Sequence, residues 1–267
     1  MSLEAAKEPV TVTDSRPVFQ FNSTGTKSWT RWDRFIVLND EPAFHIGNIC
    51  NTCDFFFKRL AVPPQSIDTP ADIAALLNSG LKTLEDSPCR QIAAVLPRGR
   101  YQPVLSSGVP RHVRPGDDND YFVREQVALW NGVESSVHEP YDPGTDYYRL
   151  GTHDIGEGRA LYEFVVPTFP TSLLRNETVQ EYRRRETVGS ALAVSVLDIK
   201  TPAFFGDVPA VSEHWCLTHY LLDGNHKTYA ASLEARPLSV LSFLALDHGV
   251  STNIGVSKAL GHLSAAP

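Results

Sequence analysis

Long apolar runs are missing from this chain. Nowhere in its 267 residues do eighteen apolar residues follow one another, so no segment is expected to cross a membrane as a helix. The first seventeen residues contain early acids and no apolar stretch, so they lack the hydrophobic core of a signal peptide. Cysteine is scarce: Cys50, Cys53, Cys89 and Cys216 are too few and too unevenly placed for a disulfide scaffold, and reduced thiols in a cytoplasmic location are the expectation.

Positive charge is also in short supply. With 24 Lys and Arg against 31 Asp and Glu the net charge is -7, which argues against a nucleic-acid partner, because affinity for a polyanion comes mostly from cations that neutralise phosphates. The densest basic run, Arg183 to Arg185, is flanked by Glu181 and Glu186 and reads as the charged face of a helix. No nucleophile elbow, Walker loop or dinucleotide fingerprint occurs, so hydrolase, P-loop and Rossmann readings lack support. No internal repeat is evident.

What is present suits a globular α/β protein of mixed α+β type. Apolar residues make up 42% of the chain, and a chain of this length buries roughly three quarters of its extended surface on folding, enough to need neither metal nor disulfide. The 17 Gly and 19 Pro imply many short elements. Alternation in Val18–Phe21 and the run Arg34–Leu38, broken at Asn39-Asp40-Glu41-Pro42, predict antiparallel strands. A short helix is expected at Phe55–Leu60, one after Thr69-Pro70-Ala71-Asp72 that stops at Gly80, and others near Pro88–Leu96, Tyr121–Trp130 and Asn176–Thr187. Tyr101–Leu105, Ala160–Val166 and Ala191–Ile199 read as strands. Ser106–Asp120 reads as loop, and Gly132–Gly158 as a long loop or a boundary between lobes.

The most informative segment begins at Glu213-His214-Trp215. Cys216–Leu222 reads as a strand that ends in the turn Asp223-Gly224-Asn225-His226-Lys227. Small, good helix formers follow through Ala235, Arg236-Pro237 closes the helix, and Leu238–Leu246 is a second strand. A turn that feeds a helix leaves backbone N–H groups unpaired beside the positive end of the dipole, so an anion is the natural partner. Gly224 permits close backbone approach, His226 and Lys227 add donors, and Asp223 is a carboxylate for a proton or a metal. The plain alternative is a strand-to-helix turn with Asp223 and Asn225 as caps and His226 and Lys227 in solvent.

At these residues the sequence resembles the ParB/sulfiredoxin-like superfamily. Members share a turn of the type Asp-Gly-His-His-Arg, a helix that begins with small residues, and an apolar strand. Here Asp223–Lys227 and Tyr229-Ala230-Ala231 match, and Val194–Ile199 and Glu213–Leu222 are similar to the family's preceding strands. The likeness covers less than a quarter of the chain; Lys227 stands where the family has Arg, Asn225 replaces a His, and no helix-turn-helix like that of the DNA-partitioning members is evident. The resemblance implies a nucleotide-handling site in which Gly224, Asn225, His226 and Lys227 contact the phosphates of ATP, ADP or CTP with Mg²⁺, while Asp223, His226 and Glu213 serve catalysis. It further implies an N-terminal α+β region (17–187) of no assigned relationship and a C-terminal lobe (188–250), between a flexible N-terminus (1–16) and a C-terminal tail (251–267).

Cys50-Asn51-Thr52-Cys53 is a second pattern, since two intervening residues let both sulfurs face one metal or form a redox loop. A structural zinc would take its remaining ligands from His214 and Cys216; buried, unreactive thiols are the competing account. Two classes therefore stand side by side. One is a nucleotide- or phosphate-dependent small-molecule enzyme, phosphotransferase-like, acting on an anionic substrate. The other is a non-catalytic or zinc-stabilised binding protein. An enzyme that uses the same turn for a carboxylate without a nucleotide is a third reading, and a homo-oligomer is left open.

Overall fold

Valine, isoleucine, leucine and aromatic side chains crowd the runs at 159–166, 190–200, 213–223 and 238–245, and residues of this kind pack best on a pleated surface covered on both sides. The computed structural model, which describes residues 2–5, 8–13, 19–62, 69–84, 86–93, 95–131, 139–202 and 210–265, makes all four runs long strands. In chain order the elements are β1 Ser2–Ala5, β2 Val10–Val12, β3 Phe19–Thr24, β4 Asp33–Leu38, β5 Glu41–Asn48, β6 Lys58–Arg59, α1 Ala71–Ser79, α2 Asp86–Ala93, β7 Gly99–Gly108 and β8 Arg111–Val113. They continue with α3 Glu125–Trp130, β9 Tyr147–Asp154, β10 Arg159–Val166, a 3₁₀ turn Thr171–Leu173, α4 Asn176–Arg184, β11 Ser190–Lys200, β12 Glu213–Asp223, α5 Asn225–Leu233, β13 Leu238–Ala245 and α6 Asn253–Ala265.

Among the described residues the strands form a nine-stranded mixed sheet and a four-stranded antiparallel one, so the fold is mixed α+β. The large sheet runs β1-β7-β13-β11-β12-β10-β9-β8, with β2 also on β7; the small sheet runs β3-β4-β5-β6. Two central pairs are parallel, β10 with β12 and β11 with β13. The hairpin between β4 and β5 turns at Asn39 and Asp40, both at positive φ (50° and 64°), where short polar side chains tolerate the left-handed region.

One face of the large sheet buries Leu192, Val194, Cys216, Tyr220 and Phe243 under the small sheet and under Ile73, Leu77 and Ile92 of α1 and α2. The opposite face has two apolar patches. Leu197, Trp215, Leu217 and Leu244 meet Val256, Ala259 and Leu263 of α6, while Ala191, Ala193 and Leu221 meet Ala231 of α5.

Several expectations are corrected. Residues 188–250 do not stand as a lobe of their own, because their three strands form the centre of a sheet completed by β7 and β10 from the earlier part of the chain. The N-terminus contributes β1 and β2 to β7, with Leu3 and Val12 buried, and the tail forms α6. Phe55–Leu60 is not helical and carries only the short strand β6: Phe55 and Phe57, two residues apart, are buried and pack on Phe122 and Phe164, while half-buried Phe56 packs at the edge of the same core on His45 and Tyr141. The loop expected at 106–120 contains the end of β7 and all of β8, helix α3 starts only at Glu125, and 147–154 is strand β9. Val18 and residues 132–138 lie outside the described residues.

Candidate functional site

β12 delivers its last residue, Asp223, to a turn centred on Gly224, and α5 begins at once with Asn225. Gly224 sits at φ +105°, and a Cβ there would meet Ala191 Cβ at 2.7 Å and Ala191 Cα at 2.9 Å. Its glycine is therefore demanded by the close packing of the turn on β11, in addition to its backbone angle. No side chain caps α5, and among the described residues nothing accepts from the backbone N–H groups of Asn225, His226 and Lys227. The first bond of the helix is Thr228 N–H to the Gly224 carbonyl, at 2.8 Å.

The start of α4 lies against the start of α5. The Arg175 backbone N–H donates to His226 Nε2 at 3.1 Å, and no side chain caps α4. This bond fixes the neutral imidazole with its hydrogen on Nδ1. Burial, and next the Arg175 charge, hold the His226 pKa below its ordinary value, against an opposing pull from Asp223. Between the two helix starts lies a cleft of about 520 Å³. Gly224, Asn225, His226, Lys227, Arg175 and Thr178 give it a polar floor, and Phe169, Leu173, Leu174, Tyr182 and Leu222 give it an apolar wall.

Each residue singled out from the sequence has a defined place. Asn225 is buried and holds the chain after β10: its Nδ2 donates to Thr168 Oγ1 at 2.9 Å, and its Oδ1 accepts from the Phe169 N–H at 3.4 Å. Lys227 is only 3% exposed, with Nζ donating to the Ser190 carbonyl at 3.0 Å and to Asp223 Oδ2 at 3.1 Å. Burial lowers its pKa, and Asp223 opposes that shift. Asp223, His226 and Lys227 thus share one cleft. Glu213 does not join them, since it starts β12 while Asp223 ends it, about 33 Å away at strand rise. There its carboxylate accepts from Trp215 Nε1 and from Thr201 Oγ1.

Cys50, Cys53, His214 and Cys216 lie toward that far end of the sheet, where Lys200 Nζ donates to the Cys50 carbonyl at 2.5 Å. They do not form a ligand set: among the described residues no group of three or more His, Cys, Asp or Glu is placed to hold a metal. His214 is engaged through both ring nitrogens, with the Tyr121 hydroxyl 2.8 Å from Nδ1 and the Tyr162 hydroxyl 3.5 Å from Nε2. Its burial lowers its pKa to about 3. Cys216 is fully buried, and burial pushes its thiol well above the ordinary range. Burial pulls the Cys50 thiol up, but hydrogen bonds from Cys53 and Thr52 together bring it below its ordinary value. Burial, and next the bond to Cys50, raise Cys53 to about 11.

Sequence reasoning missed two features. The α4 wall was invisible because the helix was legible but its neighbour was not. The second is a buried row across three strands: Ser195 Oγ lies 2.6 Å from His219 Nδ1, and His219 Nε2 lies 3.0 Å from Glu163 Oε1. Ser195 and His219 are direct cross-strand partners, a juxtaposition no local pattern reveals. These are residue types of acyl-transfer chemistry, but all three are 0% exposed and none lines the α4–α5 cleft or the smaller cavities at the sheet edges. The row acts as an internal tie between β10, β11 and β12.

The site is thus a cleft at paired helix starts, lined by Arg175, Asp223, His226 and Lys227, in a mixed α+β sheet protein. Comparison with family models, curated proteins and solved structures found no match.

Proposed function

We propose that the protein binds a nucleotide or another phosphorylated small molecule in the cleft between α4 and α5 and acts as a nucleotide- or phosphate-dependent, phosphotransferase-like enzyme. The observation that carries this reading is the meeting of two uncapped helix starts with Arg175, His226 and Lys227 around one cavity. Unpaired amides at a helix start and the dipole favour an anion by about 0.3–1 kcal/mol per helix, and by up to about 2 kcal/mol where the site is half-buried. The cavity volume of about 520 Å³ falls in the range of small-molecule pockets, and its apolar wall suits the organic part of such a ligand. The resemblance to the ParB/sulfiredoxin-like superfamily at Asp223–Lys227 supports the same reading.

In this arrangement the amides of α5 and the Arg175 guanidinium take the phosphate oxygens. His226, held neutral, offers its Nδ1–H, and Lys227 supplies charge from beneath the turn. Asp223 is the carboxylate at the rim and the group placed to accept a proton or face a divalent cation. Asn225 positions the chain at Thr168 and Phe169.

Thermal-shift titration against ATP, ADP, CTP and carboxylate metabolites, each with Mg²⁺, tests the proposal in wild type, His226→Ala and Arg175→Gln. A stabilisation by a nucleotide that both variants lose is the expected result. No shift from any nucleotide overturns the nucleotide reading; a shift from a carboxylate alone replaces it with the carboxylate one.

A further inference from the structure

Two thiols take no part in the α4–α5 cleft and reach the surface. Cys50 and Cys53 are partly exposed, whereas Cys89 and Cys216 are buried. The exposed pair sits at the opposite end of β11 from the Gly224 turn: Ala191 packs on Gly224, and Lys200, nine residues or about 30 Å further along the strand, holds the Cys50 carbonyl.

The backbone between the two cysteines suits a bond between their sulfurs. Asn51 and Thr52 are the central residues of a turn that starts at Cys50 and ends at Cys53. The ends of such a turn lie within about 7 Å of each other, and a disulfide spans Cα atoms about 4.4–6.8 Å apart. Three hydrogen bonds pin the turn. The Cys50 N–H donates to Asn48 Oδ1 at 3.1 Å, Lys200 Nζ to the Cys50 carbonyl at 2.5 Å, and the Thr201 N–H to the Asn51 carbonyl at 2.9 Å. The last two tie the loop after β5 of the small sheet to the end of β11 in the large one.

The two thiols are unequal. Thr52 Oγ1 lies 3.1 Å from Cys50 Sγ, and the Cys53 thiol and the backbone N–H groups of Thr52 and Cys53 also donate to that sulfur. Burial works against the Cys50 thiolate, but these donors together outweigh it and bring the pKa below its ordinary value. Cys53 is held up by burial first, then by its hydrogen bond to Cys50 and by the Cys50 charge, with the Lys200 charge pulling the other way. Both contributions from Cys50 end once its sulfur is bonded to another sulfur, whereas Lys200 stays in place. The arrangement therefore readies Cys50 first and Cys53 second.

We propose that Cys50 and Cys53 form a thiol–disulfide exchange site for low-molecular-weight disulfides, with Cys50 as the attacking sulfur and Cys53 as the resolving one. The Cys50 thiolate attacks one sulfur of the small disulfide, whose S–S bond breaks; one half leaves as a thiolate and the other stays on Cys50 as a mixed disulfide. Cys53 gives up its proton and attacks the Cys50 sulfur, which forms the Cys50–Cys53 bond and expels the second half as a thiolate. Two cysteine thiols are oxidised and one small disulfide is reduced to two thiols, with the two cysteine protons passing to the products or to solvent. The buried thiols of Cys89 and Cys216 stay outside this exchange.

The test treats the reduced full chain with glutathione disulfide at pH 7, blocks remaining thiols with N-ethylmaleimide, and reads intact mass and peptide maps over time. Wild type is expected to form the Cys50–Cys53 bond with only a transient glutathione adduct, and dithiothreitol to restore both thiols. Cys53→Ser is expected to accumulate the adduct on Cys50, and Cys50→Ser to react at least about tenfold more slowly than wild type. Alkylation by iodoacetamide across pH is expected to show one fast thiol, mapped to Cys50, with a midpoint below that of Cys53 in Cys50→Ser. Unchanged melting of both serine variants verifies their fold, and the bond in wild type is mapped without them. A wild type that keeps both thiols, an adduct that persists on Cys50 in wild type, or a Cys50→Ser protein as reactive as wild type overturns the inference.

Discussion

Replacing Gly224 with alanine puts a methyl carbon 2.7 Å from Ala191 Cβ and 2.9 Å from Ala191 Cα, on a backbone at φ +105°. A left-handed conformation costs an L-residue about 1–2 kcal/mol. Forcing a methyl group into a packed region adds about 1–3 kcal/mol. The sum, about 2–5 kcal/mol, is a large share of a typical folding stability of about 5–15 kcal/mol. Urea denaturation followed by tryptophan fluorescence measures it, with Gly224→Ala expected to lower the midpoint without a change of slope. Adding Ala191→Gly removes the closer of the two clashes, while the φ strain and the crowding against the backbone of β11 remain. The double variant is therefore expected to recover at least about 0.5 kcal/mol relative to the sum of the singles, in the sense of a coupled pair. A Gly224→Ala protein within about 0.5 kcal/mol of wild type refutes this reasoning. Should such a protein also lose ligand binding at the cleft, glycine would be there for the ligand and not for β11.

Three other outcomes follow from buried polar groups. Arg34→Met leaves the Asp198 carboxylate unpaired in the interior and is expected to cost about 3–5 kcal/mol in chemical denaturation, with Arg34→Met/Asp198→Leu recovering much of it; equal losses in both would refute the pairing. His214, with a folded pKa of about 3 against 6.5, binds its proton in the unfolded chain first, so it lowers stability as pH falls through that window, by about 1.4 kcal/mol per pH unit. His214→Gln is therefore expected to lose about 2 kcal/mol less than wild type between pH 7 and pH 5, and parallel stability curves would exclude the effect. Asn225→Ala removes the tie to Thr168 and Phe169 and is expected to cost about 1–3 kcal/mol, read from the melting transition, and to speed amide exchange at Phe169.

The central strands were legible because β-branched and aromatic residues filled them, and the strand, turn, helix and strand from Leu217 to Leu246 was legible because Gly224 and Pro237 punctuate it. Other elements left weaker traces. β9 lies in Gly-, Pro- and Tyr-rich sequence, and α6 carries Gly255 and Gly261 inside the helix. Phe55–Phe57 obeys strand spacing, but three aromatics in a row hide an alternation that only the core packing reveals. At the cleft, the turn and its His and Lys were readable as a local pattern. The role of Asn225 and the burial of Lys227 were not, because both depend on Thr168 and Ser190, which are remote in sequence. The same limit hid the Ser195–His219–Glu163 row.

The order of strands sets a timetable for folding. β7 and β10 are made first, yet the positions between them go to β13, β11 and β12, which are synthesised after both. Until then each has a bare hydrogen-bonding edge where the sheet will later continue, which is the surface on which unfinished chains stick to one another. A truncation after β10 should accordingly be insoluble rather than merely unstable, and the stretch from β11 to β13 serves as the keystone that closes the gap.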